Sequence, residues 1–178
     1  MLVLAASLYE VVLAVHIMAV VIAFGVTFSY PIIFAVGAKY GPRSLPLLHR
    51  IEYTIERWLV NPGLLLVLAA GIFLASDGHH WKSFFVQWGI GAAIVIGGVV
   101  GALMIPTSQK AAEVAQRDID ASLSAAGGAG ASGGTRATTE AQIVMSEEYR
   151  ALVRRLSLAG GSMSLLVLVT IFFMALKL

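Results

Sequence analysis

Four apolar runs, each near the ~20 residues a helix needs to cross a bilayer core, constrain this chain more than any other feature. They are Val11 to Val36, Leu59 to Ala75, Phe84 to Met104 and Leu156 to Leu176. At 58% hydrophobic and 12% charged residues, the chain is also far less charged than the ~25% of an ordinary globular domain. The expected fold is therefore all-α: a four-helix transmembrane bundle forming a single membrane domain over residues 1–178, with short amphipathic cytoplasmic helical extensions. The lead-in Met1 to Ser7 has no basic stretch and no cleavage pattern, so it reads as the start of a retained helix.

The segments between the runs refine this picture. Pro31, after Ser29 and Tyr30, should kink the first helix, because proline lacks an N–H and crowds the carbonyl one turn back. Ser44 to Trp58 mixes charge and apolar residues and reads as an interfacial turn of helix leading into the second span. Pro62 lies near that span's start, where proline is best tolerated. Pro106 follows the third span, after which Gln109 to Ile119 reads as an amphipathic extension into water. Ala125 to Thr139, rich in Gly, Ala, Ser and Thr, reads as a flexible linker. Glu140 to Arg155 returns to helical periodicity and feeds the fourth span.

Orientation follows from the basic residues. Lys39, Arg43, Arg50 and Arg57 lie between the first two runs. Lys110, Arg117, Arg136, Arg150, Arg154 and Arg155 lie between the last two. Only Lys82 and Lys177 fall on the other side, so both termini are expected outside a bacterial inner membrane. Trp81, Phe84, Phe85 and Trp88 would form an outer aromatic girdle, with Tyr40, Tyr53 and Trp58 at the inner interface.

Composition and motifs exclude several function classes. A net charge of +2 gives no basis for nucleic-acid binding. The absence of cysteine removes disulfides, thiolate metal sites, iron–sulfur clusters and covalent haem attachment. No phosphate-binding loop, zinc-protease helix, nucleophile elbow or dinucleotide glycine pattern occurs. No paired intramembrane carboxylates are read, which argues against a dedicated proton pump. Four spans without an internal repeat argue against a secondary transporter acting alone.

Chemistry-bearing residues are few. His16 lies six residues beyond Glu10, about 9 Å deeper at about 1.5 Å per residue. An ionisable group there usually faces the bundle interior. It suits an axial haem ligand, a metal ligand or a proton relay; alternatively it is a neutral imidazole bonded to a neighbouring helix. Glu10, His79 and His80 would all lie near the outer surface, where carboxylate and imidazoles can take zinc or copper. The plainer account is a solvated turn at Asp77 to His80 and a dipole-favoured Glu10. His49 and Glu52, three apart, can pair, whereas Glu52 and Glu56, four apart, repel mildly. Arg50 and Arg57 can hold a haem propionate or a lipid headgroup, or simply anchor the helix. Gly97 and Gly101 form a G-x-x-x-G step that permits close helix packing, within the chain, in a homo-oligomer or against a membrane-complex partner.

The segment Val15, His16, Ile17, Met18, Ala19, then Phe24, Gly25, Tyr30 and Pro31, resembles the first helix of a bacterial membrane family, domain-of-unknown-function 2269. The similarity continues through Leu48, His49, Arg50, through Arg57 to Pro62 with Gly71, and through Ser146, Glu147, Glu148 and Tyr149. More distantly, the chain resembles the HemJ-type protoporphyrinogen oxidases and the CopD copper-resistance membrane domain. That resemblance implies a b-type haem on His16, beside which Arg50 could pair a propionate; the expected role is an accessory, cofactor-binding membrane protein, with a haem-dependent oxidoreductase as its rival. Copper or zinc handling at the outer surface and a structural subunit role are the other expectations.

Overall fold

The computed structural model describes residues 7–129 and 143–177. Among these residues there is no strand, and four helices are long and apolar enough to cross a membrane. The first comprises α1 (Leu8–Gly25), a 3-10 turn (Val26–Ser29) and α2 (Tyr30–Ala38). The second joins α3 (Leu45–Ile55) to α4 (Asn61–Asp77) through a π-helical turn, Glu56–Val60. The third joins α5 (Phe84–Val99) to α6 (Ile105–Ala129) through another, Val100–Met104. The fourth is α7 (Glu147–Leu176). The expected all-α four-helix arrangement is what the chain adopts, and its apolar exterior suits a multi-pass membrane protein. Ile17, Val21 and Ile22 on α1 and Leu165, Leu168 and Phe172 on α7 are all exposed.

Each irregular turn has a proline as its cause. The 3-10 turn ends at Ser29, just before Tyr30 and Pro31, where the kink is expected. In the second and third rods, Pro62 and Pro106 each stand two residues after a π turn. A wider turn relieves the crowding of the proline ring against the preceding carbonyl. The amides just before the prolines reach back five residues, Asn61 to the Glu56 carbonyl and Ile105 to the Val100 carbonyl. Pro106 therefore does not stop the third helix; the rod runs on through it to Ala129. Five residues assigned to the linker, 125–129, are thus helical, and of the remainder, 130–139 lie outside the described residues.

Two cores result. One joins all four rods through Ala23, Phe24, Val60, Leu64, Ile96, Val100, Met104 and Val167. The other joins α6 to α7 beyond the prolines, through Ala111, Val114, Ala115, Tyr149 and Leu156. This second core is the expected amphipathic extension, and α3 packs against it. Close approach of α1 to α4 depends on small residues: a Cβ added at Gly63 would fall 2.6 Å from that of Ala23. Gly97 also packs within the chain, where an added Cβ would fall 3.0 Å from Leu64 Cδ2. Gly101 meets open space instead. The π turn beginning at Val100 changes the helix phase, so the two glycines do not form one packing face.

Candidate functional site: a buried carboxylate cluster at an apolar cavity

The helix α3 and its π turn are amphipathic in the reverse of the usual sense. Leu47, Ile51 and Trp58 point outward, Trp58 at 72% exposure. The face turned inward carries His49, Glu52 and Glu56, exposed by only 1%, 5% and 1%. Residues three and four apart share a helix face, so positions 49, 52 and 56 bring an imidazole and two carboxylates into one stripe.

His49 organises one end of the stripe. Its Nδ1 lies 3.1 Å from Glu52 Oε2, and its Nε2 lies 3.1 Å from the Tyr149 hydroxyl. A carboxylate can only accept, so Nδ1 carries the proton and the Tyr149 hydroxyl donates to Nε2. The pairing of His49 with Glu52 follows the expected spacing. Tyr149 reaches the site because α7 starts in a fixed place. Ser146 caps that helix by accepting from the Tyr149 amide at 3.2 Å, and its own amide donates to Asp118 of α6 at 2.9 Å. Beside this cap, Arg117 and Lys110 bond Glu148 at 3.0 and 3.1 Å. The Arg117 hydrogen bond, with Lys110 assisting, holds the Glu148 carboxyl below its ordinary range.

Glu56 lies one turn further in. Ser108 of α6 donates to its Oε2 at 3.3 Å, while Oε1 is buried and has no hydrogen-bond partner. The Tyr30 hydroxyl is likewise buried without a partner. Both residues line a cavity of about 510 Å³ walled by residues of all four rods. Its walls are otherwise largely apolar: Phe24, Phe28 and Phe34 on one side, Ile96, Val100 and Met104 on another, with Gly160 and Met163 of α7 opposite. Among the described residues lining it, none is Lys or Arg. Buried polar atoms are nearly always bonded to protein or ordered water. Two that are not, on residues that line one space of ligand size, mark the site.

The residues singled out from sequence lie elsewhere. His16 is half-buried between α1 and α4, with Nδ1 3.0 Å from the Val67 carbonyl. Gly71 gives it room, since a Cβ there would sit 3.3 Å from the imidazole Cε1. The plainer reading of His16, an imidazole bonded to a neighbouring helix, describes this geometry. Arg50 is exposed on the outward face of α3, beside Leu47, Ile51 and Thr54. It stands 17 residues before Val67, about 25 Å along the rod at about 1.5 Å per residue. A haem b ligated by His16 with a propionate on Arg50 does not fit that separation, and His16 does not line the cavity.

The outer residues do not assemble either. Glu10 completes a capping box, its Oε2 accepting from the Ser7 amide at 2.8 Å. His79 adopts φ 55° and bonds the Asp77 carbonyl through Nδ1 at 3.0 Å. His80 packs against Phe85 with ring centroids 6.0 Å apart. Among the described residues, no three His, Asp or Glu side chains come together as a metal site.

Glu52, Glu56, Tyr30, Ser108 and Tyr149 were not singled out as a site from sequence. The first two form a pair of carboxyl groups buried inside the bundle, where the sequence reading expects charges at an interface. Their signal was present in the 49, 52, 56 spacing, had it been read together with apolar Leu47, Ile51 and Trp58 on the opposite face.

Comparison with known proteins adds no assignment: no family model matches the chain, and no curated protein or solved structure is significantly similar to it.

Proposed function

We propose that this chain is a multi-pass membrane protein that binds an amphipathic small molecule between its helices. The apolar body of the molecule occupies the 510 Å³ cavity, and its polar end meets the stripe of His49, Glu52 and Glu56. One observation carries the reading: a ligand-sized, mainly apolar space ends on Glu56, a buried carboxylate with one oxygen unpartnered. Small-molecule sites generally pair apolar walls with a few convergent polar groups. The bias of Lys and Arg supports both termini outside, with the carboxylate end of the cavity toward the cytoplasm. A reporter fused after Leu178 that is active only in the cytoplasm would overturn that orientation.

The binding reading is tested by purifying the protein in native-lipid discs and analysing retained small molecules by mass spectrometry. The matched variant is Gly160→Phe. An added Cβ at Gly160 falls 3.7 Å from Met104 Cε, an ordinary contact, so a larger side chain enters the cavity without displacing backbone. Wild type should retain a molecule that the variant loses. Identical contents in the two preparations would end the proposal.

A further inference from the structure

Resting on that reading, we infer that the ligand is a monovalent lipophilic organic cation, held between the Glu52–Glu56 carboxylates and the aromatic wall of the first rod.

The argument begins with charge. Glu52 and Glu56 lie four apart on one helix face, and both side chains are more than nine-tenths buried. Ionised carboxylates out of water are costly unless paired. Glu52 accepts a hydrogen bond from His49. Glu56 has only the Ser108 hydroxyl, and no lysine or arginine among the described lining residues offsets it. The cavity therefore presents two carboxyl groups with acceptor capacity and, among the described lining residues, no lysine or arginine beside them; a bound cation would favour the ionised form of Glu56.

Shape and surface select the kind of cation. A small hydrated ion would leave most of a 510 Å³ space lined by hydrocarbon, and among the described residues no metal-binding group of side chains forms. An organic cation fills the space with apolar substituents. Phe24, Phe28 and Phe34 line the same cavity as the carboxylates, and aromatic faces attract cations, more strongly where water is excluded. Tyr30 adds a hydroxyl that can donate to Glu56 or accept from an ammonium. A ligand anion would meet two carboxylates.

Two probes of the same shape and opposite charge test this directly. Tetraphenylphosphonium and tetraphenylborate differ in sign but hardly in form, so their equilibrium binding to wild-type protein in lipid discs isolates charge. Protein-free discs correct for partitioning. The phosphonium should bind saturably and the borate should not. Glu56→Gln, which keeps the side chain's shape, should weaken phosphonium binding by more than about tenfold, as expected when a buried charge partner is removed. Equal binding of the two ions, or phosphonium affinity unchanged in Glu56→Gln, would overturn the inference. Should Gly160→Phe strip a native ligand while neither ion binds, the cavity reading stands and the cationic one falls.

Discussion

His16 and His49 are both imidazoles on apolar helices, yet their surroundings differ in kind. Around His16, α1 and α4 are drawn together by Ala19, Ala23, Gly63 and Gly71. The imidazole fills the remaining gap, its hydrogen bond going to a backbone carbonyl. Around His49 residues of all four rods line a cavity, and the imidazole bridges two side chains from different helices, Glu52 and Tyr149. The contrast teaches where polar chemistry can persist in such a bundle. Small residues close a helix pair and leave a histidine one local role. Both proline-linked π turns contribute residues to a space that the carboxyl groups also line, and a histidine there links the groups at its edge.

The largest effect expected from this contrast is at His49. His49→Leu removes the partner of Glu52 and of the Tyr149 hydroxyl at once. Each buried polar group left unsatisfied costs about 1–3 kcal/mol, so the variant should lose about 3 kcal/mol. For a chain of this size that corresponds to a fall in Tm of about 10 °C, readable by thermal unfolding in detergent. His49→Gln retains a donor and an acceptor and should recover part of the loss. If His49→Leu unfolds with wild type, the bridge contributes nothing and the two histidines are alike after all.

Much of the fold was legible before the structure. The four spans, the kink before Pro31 and the helical extension beyond the third span follow from apolar run length and from proline's missing donor. The pairing of His49 with Glu52 followed from spacing alone. Two features misled. Pro106 marked the end of the third span, with the helix resuming at Gln109, but a single wider turn absorbs the crowding of its ring and the rod continues without a break. Glu52 and Glu56 looked like charges at a water interface, because charged residues on a helix normally face solvent. Here the outward face carries Leu47, Ile51 and Trp58, so the polar face is the inner one. Which face turns inward is decided by α6 and α7, which approach from more than 50 residues away in sequence. The partners of Glu56 and His49, namely Ser108 and Tyr149, come from that same distant packing. No local pattern around position 56 encodes them.

The smaller effect is at His16. Its imidazole makes one hydrogen bond, to the Val67 carbonyl, which is also positioned to accept from the Gly71 amide within α4. His16→Ala therefore strands no buried donor, and it should cost about 1 kcal/mol, the size of one net hydrogen bond. That is about 3 °C in Tm, a fraction of the loss at His49. Binding of tetraphenylphosphonium should be unchanged, because His16 does not line the cavity. The same variant also probes the haem expectation. A Soret band in wild type that disappears in His16→Ala would give this histidine a ligating role, and would move the chemistry of the molecule from the cavity to the close α1–α4 pair. An unaltered spectrum with a small stability loss would leave His16 as what its geometry describes: a polar side chain that fills the gap opposite Gly71, in the part of the bundle where the helices are closest.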